Sequence, residues 1–521
     1  MPPPDAPTGH EVPDTIRGSA RMPPGSSSGA AWRAAAACLL AVVVFGSVQI
    51  ASPHPVGVDG LFHAQSANLI RDNLPRPWMP EFRWLEHTSL RHDLFADFYW
   101  GFHLLLLPFT VLSVEVAAKL APVVMGSLSM MALYFVLGRF GVRYRLVWFS
   151  VALLASPIFL MRLSQNKAPT AMVGLLALLT WAVIENRYFG IAVFGAAATW
   201  VYPVLPLIAA VGGAGIVSVG VIERRVPWKA VASLGVGMVA GLLIHPDVPR
   251  NLQFLVVNMT EATNLRAGEF NPLRTDAFLK DLGILAALFL LAFRSARLRR
   301  EEPGSRIDWT LFLVASSMVL VAVRYMRGID FVPPFVVAFG AVALDGPLGD
   351  LVKRARLRVP GPALRRVAGL ALAVAAVSAA AVQVNRARGV VVRNSTAVAH
   401  RLEGAALWLA ANTAPGELVL NLTAGDFEQL WAYNTHNTYF VGFNVRFLQR
   451  QSPDLFLQYA SLYERGDLVA LEALLSTDTA ARFAVISDRL PGSLADRIVR
   501  SPSFETVYRD RSCAIVRASG S

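Results

Sequence analysis

Charge is what this 521-residue sequence has little of. Only 16% of its residues are Asp, Glu, Lys or Arg, and 54% are hydrophobic, where a soluble globular domain carries about a quarter charged residues. The apolar residues lack the strict alternation of half-buried strands and run instead in long blocks; mean hydropathy is +0.47. This excludes a water-soluble globular protein, a coiled coil and a disordered chain. Apolar tracts of about 18 to 20 residues match what a bilayer core demands. Cysteine is nearly absent as well. Cys38 lies in the first apolar block and Cys513 at the far end, which excludes a disulfide framework. No internal repeat is visible.

The charge that is present is unbalanced, at 48 Lys+Arg against 36 Asp+Glu, a formal +12. The arginines cluster in short loops between apolar blocks, which points to the positive-inside rule and away from a nucleic-acid partner. Abundant Ala, Val and Arg with little Lys suits a bacterial cytoplasmic (inner) membrane.

Residues 1–30 are rich in Pro, Gly and Ser and read as a disordered cytoplasmic tail. A first span follows at 34–51. Further spans are expected at 118–137, 147–161, 170–186, 190–202, 203–222, 230–245, 277–293, 309–323, 331–347 and 367–384. With the N-terminus inside, Arg139/Arg143/Arg145, Arg187, Arg224/Arg225, Arg294/Arg297/Arg299/Arg300 and Arg354/Arg356/Arg358/Arg365/Arg366 all fall in the cytoplasm. The run from Tyr188 to Ile222 is uncharged and about 52 Å long as a helix, too long for one span, so it is read as a hairpin turning at Tyr202-Pro203. Leu104–Leu112, counted as a span, would reverse every later loop; it is read as a helix at the outer membrane surface with Trp100 at the interface.

From about residue 386 the pattern changes. Short strands are expected at 417–422 and 483–487, a closing hairpin at 506–508 and 514–517, and helices at 396–412, 453–464, 467–476 and 491–500. The expected fold is thus an α-helical polytopic membrane protein of eleven transmembrane helices. Residues 31–385 form the transmembrane domain with a large first outer loop at 53–117, and 386–521 a small C-terminal α/β extracytoplasmic domain.

Ionisable groups next to a membrane need a reason to be there. The first outer loop holds Asp59, His63, Glu81, Glu86, His87, His92, Asp93, Asp97 and His103, and five of the nine histidines fall in it or at its edge. On a helix, Asp59 and His63 lie side by side at i and i+4. Such a pair can act as a general base or share a divalent metal; the plainer reading is a helix cap beside a solvated imidazole. Arg162, Lys167, Arg324 and Arg327 lie outside, against the positive-inside trend, and suit either phosphate oxygens or pairing with lipid headgroups, Asp330 and nearby acids. His245-Pro-Asp247-Val-Pro-Arg250-Asn251 opens a stiff outer loop that either lines a substrate cleft or simply stops a helix. In the outer domain Asp426, Glu428, Trp431, Tyr433, His436 and Tyr439 combine aromatics with polar groups, as carbohydrate stacking requires and as a domain core resting on the membrane loops equally requires.

The order of a first span, the stretch V-D-G-L-F-H-A-Q-S-A-N-L-I, an outer loop with Trp78 and Trp84, many spans and an outer α/β domain resembles the GT-C superfamily of membrane glycosyltransferases, with a first loop similar to those of oligosaccharyltransferases and protein mannosyltransferases. The resemblance implies a sugar or glycan moved on the outer face from a polyprenyl-phosphate-linked donor by an inverting transfer. It implies Asp59 as base toward the acceptor or ligand of a divalent metal (Mg or Mn), His63 as its helper, and Arg324 with Arg327 as phosphate clamp. Two departures stand out. After Ser156-Pro157 comes Arg162-Leu-Ser-Gln-Asn-Lys167 with no carboxylate, where many relatives carry a second acid, and the W-W-D signature of oligosaccharyltransferases is missing. The departures leave open a non-catalytic relative that binds lipid-linked glycan or assists polysaccharide assembly or export.

Overall fold

A computed structural model describes residues 27–57, 59–90, 94–264, 275–299, 305–358, 361–398, 402–475 and 479–519. Residues 1–26 of the expected disordered tail, and His92 and Asp93 of the first loop, lie outside the described residues, while 27–30 already belong to the first helix.

The chain opens with helix α1 (Ser27–Gln49). A long loop follows, carrying α2 (Asp59–Asp72) and the short α3 (Trp100–Leu106), which tightens into a 3-10 turn at Leu107–Phe109. The bundle continues with α4 (Val114–Arg139), α5 (Arg145–Leu153), α6 (Pro157–Leu163), α7 (Ala168–Ile184), α8 (Tyr188–Val201), α9 (Leu205–Glu223) and α10 (Trp228–Leu243). After α11 (Arg250–Asn264) come α12 (Thr275–Leu298), α13 (Ser305–Arg324), a 3-10 turn at Met326–Asp330, α14 (Val332–Arg358) and α15 (Pro362–Val398). Among the described residues six helices are long and apolar enough to cross a membrane, seven if the α5–α6 pair, bent by 84°, counts as one span. The bend has a local cause. Ser156 caps α6 by accepting from the Phe159 amide, and Pro157 cannot continue α5. Helices α7, α8 and α10 are shorter apolar helices of the same bundle. Where α10 crosses α8, a Cβ on Gly237 would lie 2.3 Å from the Ala192 carbonyl oxygen, so only glycine permits this approach, as is usual for membrane helix pairs. Helix α15 is apolar along most of its length with its candidate span unburied, as a lipid-facing helix would be.

One end of the bundle is rimmed by ion pairs: Arg139 with Glu185 at 3.3 Å and Arg306 with Glu223 at 2.6 Å. There too Asp345 accepts the amides of Arg143 and Tyr144. These arginines belong to the expected cytoplasmic clusters or flank them. At the opposite end sits the C-terminal domain, a five-stranded sheet of order β2-β1-β3-β5-β4. Its strands are β1 (Leu418–Asn421), β2 (Thr438–Tyr439), β3 (Phe483–Ser487), β4 (Phe504–Arg509) and β5 (Cys513–Ala518). β2, β1 and β3 run parallel, and β5 pairs antiparallel with β3 and β4. Helices α16 (Glu403–Asn412), α17 (Phe427–Tyr433), α18 (Arg446–Gln451), α19 (Pro453–Arg465), α20 (Leu468–Ala473) and α21 (Gly492–Arg500) complete it. Strands β1 and β3 are buried throughout, which is why they read as continuous apolar runs, whereas β4 is largely exposed.

The first loop and this domain share a core. Phe62, Phe82, Trp84, Phe427, Trp431 and Tyr439 pack in one cluster, with Phe62 and Trp84 centroids 5.1 and 5.3 Å from Trp431. Trp84 donates its indole N–H to the Thr435 carbonyl (2.8 Å), and the Tyr439 amide donates to the Trp84 carbonyl (2.7 Å). Loop and domain therefore share one side of the bundle. Helix α3 is short and packs on protein along one face. Trp100, Phe102, His103 and Leu106 are buried against α2 and α8, and a Cβ on Gly101 would lie 2.4 Å from the Trp200 carbonyl oxygen. Along Leu104–Leu112 itself, Leu106 and Thr110 are buried while Leu105 and Val111 are exposed.

Candidate active site

Asp59 is the first residue of α2, where a carboxylate complements the helix dipole. Its Oδ2 lies 2.9 Å from Lys167 Nζ. Lys167 arrives from the turn between α6 and α7, brought back by the bend at Ser156-Pro157. Asn166, one residue earlier, donates to the Gly60 carbonyl at 3.0 Å, so the turn is stitched to the start of α2. Burial opposes ionisation of Asp59, but Lys167, then Arg327, outweigh it and hold the carboxyl below its ordinary range. Arg327 comes from the 3-10 turn after α13. Buried Asp330 of that turn takes a bidentate pair from Arg162 of α6, Nε to Oδ1 and Nη2 to Oδ2 (3.0 Å). This pair ties the segment carrying Lys167 to the segment carrying Arg327. Arg162, expected at the site as a phosphate ligand, is engaged with Asp330. Arg324 is exposed, its guanidinium 4.7 Å from the Tyr325 ring centroid.

His63, one helical turn beyond Asp59, is buried and begins a hydrogen-bonded chain. Its Nδ1 lies 2.8 Å from His103 Nε2, and His103 Nδ1 lies 2.7 Å from Asp97 Oδ2. His103 is fully buried and Asp97 nearly so. Burial, then His103 and Lys167, push the His63 imidazole well below its ordinary value, so the ring is neutral. Asp97 also opens α3, accepting the Tyr99 amide at Oδ1 (3.2 Å) and the Trp100 amide at its carbonyl (3.0 Å). His245 supports this turn from behind. Its Nε2–H donates to the Asp97 carbonyl (2.9 Å), its Nδ1 accepts the Asp247 amide (3.0 Å), and its ring packs on Trp100. Asp247 pairs with Arg250. The two residues expected to line a cleft thus brace the loop that carries Asp97.

The C-terminal domain adds a further group. Glu428, in the first turn of α17, is pushed up to about 8 by burial and then by the charge of Asp59, so its carboxyl is protonated at neutral pH. Its Oε2 has no hydrogen-bond partner among the described residues. Helix α17 packs on α2, and Tyr433 at its end donates to Glu115 of α4 (2.8 Å). Trp431 and Tyr439 are fully buried in the interface core, which answers to the domain-core reading of these aromatics. His436 donates its Nε2–H to the Thr413 carbonyl at 3.0 Å, within the domain.

Sequence reasoning placed Asp97, His103 and Glu428 among groups of interest without assigning them to the site. Only the burial of α3 and the docking of the C-terminal domain bring them towards α2. For a divalent metal the residues do not fit. Asp59 is held by an ammonium, and no three His, Cys, Asp or Glu side chains among the described residues could hold one ion.

No protein-family model and no curated protein matches the sequence. Solved structures do. The oligosaccharyltransferase of Archaeoglobus fulgidus in its apo form superposes with a TM-score of 0.60 at 13% identity, over 87% of this chain and 69% of that one. Its complex with Zn and sulfate gives 0.56 at 13%, over 86% and 67%. ArnT from Cupriavidus metallidurans in the apo state gives 0.55 at 16%, over 94% and 98%. This chain, a bundle of apolar helices with a large first loop docked under a C-terminal α/β domain, has the fold of the GT-C membrane glycosyltransferases.

Proposed function

We propose that the protein is an inverting membrane glycosyltransferase, moving a sugar or glycan from a polyprenyl-phosphate-linked donor to an acceptor at the outer face of a bacterial cytoplasmic membrane. The observation that carries this reading is the convergence of Asp59, Lys167 and Arg327 from three separate segments at the membrane-domain boundary. Two cations next to one carboxylate suit a leaving phosphate beside a sugar carbon that gains positive charge in the transition state. Lys167 and Arg327 meet the phosphate oxygens. Asp59 stays ionised, holds Lys167 in place and stabilises the developing charge on the sugar. The bilayer holds the polyprenyl chain. No step is routed through a metal.

The test is Asp59→Asn in purified protein reconstituted in nanodiscs with a panel of polyprenyl-phosphate sugars. Transfer falls by about 10²–10³-fold on loss of such a group; unchanged transfer overturns the mechanism. A second reading is favoured by the closed Asp59–Lys167 pair and by the missing acid in the second outer loop: a binding protein for lipid-linked glycan. Saturable binding of polyprenyl phosphate without turnover of any donor in the panel supports that reading.

A further inference from the structure

The chain Asp97–His103–His63 has a direction. A carboxylate only accepts hydrogen bonds, so Asp97 Oδ2 takes the proton-bearing Nδ1 of His103. With both rings neutral, His103 presents a lone pair at Nε2, and the 2.8 Å contact then has His63 Nδ1 carry its proton. His63 is left with a lone pair at Nε2, which makes no hydrogen bond among the described residues. Its ring is held edge-on by Tyr99 (4.8 Å), Phe102 (5.2 Å) and Phe62 (5.5 Å), and beyond His103 the charge acting on it is that of Lys167.

We propose that His63 Nε2 is the general base that takes the proton of the acceptor, that Asp97 and His103 are positioning residues fixing its tautomer, and that the acceptor is accordingly a neutral hydroxyl. The proposal rests on the glycosyl-transfer reading above. Asp59, ionised and engaged by Lys167, is the weaker proton acceptor of the two first-loop groups. In the step, the acceptor oxygen forms its bond to the anomeric carbon while the bond from that carbon to the phosphate oxygen breaks, its electron pair leaving with the phosphate. The acceptor O–H proton passes to His63 Nε2. The Nδ1 proton of His63 crosses the short bond to His103 Nε2, so the positive charge comes to rest on His103 against Asp97. A buried imidazole that resists protonation by itself becomes an effective base in this way, because the charge does not stay on it. A phosphate acceptor is already anionic at neutral pH and has no need of the relay.

The tautomer can be read without substrate. Diethyl pyrocarbonate acylates the unprotonated nitrogen of a neutral imidazole, and peptide mass spectrometry of the full chain in nanodiscs locates the product. In the wild type at pH 7, His63 is acylated and His103, with both nitrogens occupied, is not; the opposite pattern overturns the proposal without any variant. In Asp97→Asn the side-chain amide donates to His103 Nδ1 and the chain runs in reverse, leaving His63 Nε2 protonated. Acylation of His63 falls at least tenfold while His54, outside the chain, reacts as before. Asp97→Glu keeps the carboxylate and restores labelling. Wild-type labelling of His63 in Asp97→Asn, or equal loss in the Asn and Glu variants, overturns the assignment. Labelling is independent of turnover, so a protein that transfers no sugar yet shows this pattern contradicts the glycosyltransferase reading and leaves the relay standing. With an active donor, Asp97→Asn slows transfer to hydroxyl acceptors by about 10²–10⁴-fold. Equal or better transfer to a phosphate acceptor by the wild type overturns the acceptor class.

Discussion

Lys167 reaches Asp59 at 2.9 Å across more than a hundred residues of chain, because the α5–α6 span is broken and bends by 84°. One cation so placed keeps the carboxylate ionised while leaving it at the mouth of the site. Lys167→Gln removes the nearer of the two cations that hold Asp59 below its ordinary value. We expect the single variant to unfold at lower temperature than the double variant Asp59→Asn/Lys167→Gln, since the double leaves no unpaired charge. Thermal unfolding of both in detergent checks this; additive losses would count against it. The pairing contributes stability at pH values above the ordinary carboxyl range and loses it as pH falls through the lowered folded value.

Arg162 and Asp330 make the other long-range tie, both nearly buried. Removing one partner strands a charge, so Arg162→Met or Asp330→Asn costs about 3–5 kcal/mol. Arg162→Met with Asp330→Leu recovers most of it. The singles also loosen the turn that carries Arg327, so the KM for a lipid-linked donor rises more than kcat falls. A double variant no more stable than the singles would show that the pair is not the source of the loss.

The large-scale fold was legible because a bilayer demands long apolar blocks and because Ser156-Pro157 and Tyr202-Pro203 announce breaks in backbone hydrogen bonding. Four of the five strands stood out in part, β1 and β3 as short apolar runs and β4 with β5 as a closing hairpin. Strand β2, two residues at Thr438–Tyr439, is too short to leave a pattern. Leu104–Leu112 reads the same whether it faces lipid or protein, and its burial is mixed, with Leu106 buried and Val111 exposed. In the site, Asp59, His63, Lys167 and Arg327 were visible as charges out of place. Their partners were not, since neither the Asp97–His103 bond nor the approach of Glu428 to Asp59 follows from spacing along the chain.

Trp431 joins the two halves of the molecule. It is fully buried and packs on Phe62 of α2 and Trp84 of the first loop. Trp431→Ala is expected to cost about 3–5 kcal/mol and to loosen α2, which carries both Asp59 and His63. Hydrogen exchange of the 59–72 amides then accelerates by at least tenfold, with loss of transfer in parallel. Faster exchange confined to the sheet would locate the damage in the outer domain alone.

Glu428 gives a pH signature of opposite sign to that of Asp59. Its carboxyl is pushed up to about 8 in the folded protein, by burial and then by Asp59, against about 4.3 in an unfolded chain. Below the unfolded value both states are protonated and the group carries no penalty. Between the two values the unfolded state releases a proton that the folded state keeps, so stability declines as pH rises and levels off above about 8. Each unit of difference is worth about 1.4 kcal/mol, an upper bound for a group at a domain boundary. Glu428→Gln removes the penalty while preserving shape. The variant and wild type should therefore unfold at similar temperatures near pH 5, and the variant at the higher temperature at pH 8.5. If Glu428 instead sat as an ordinary carboxylate, the two curves would stay parallel across that range.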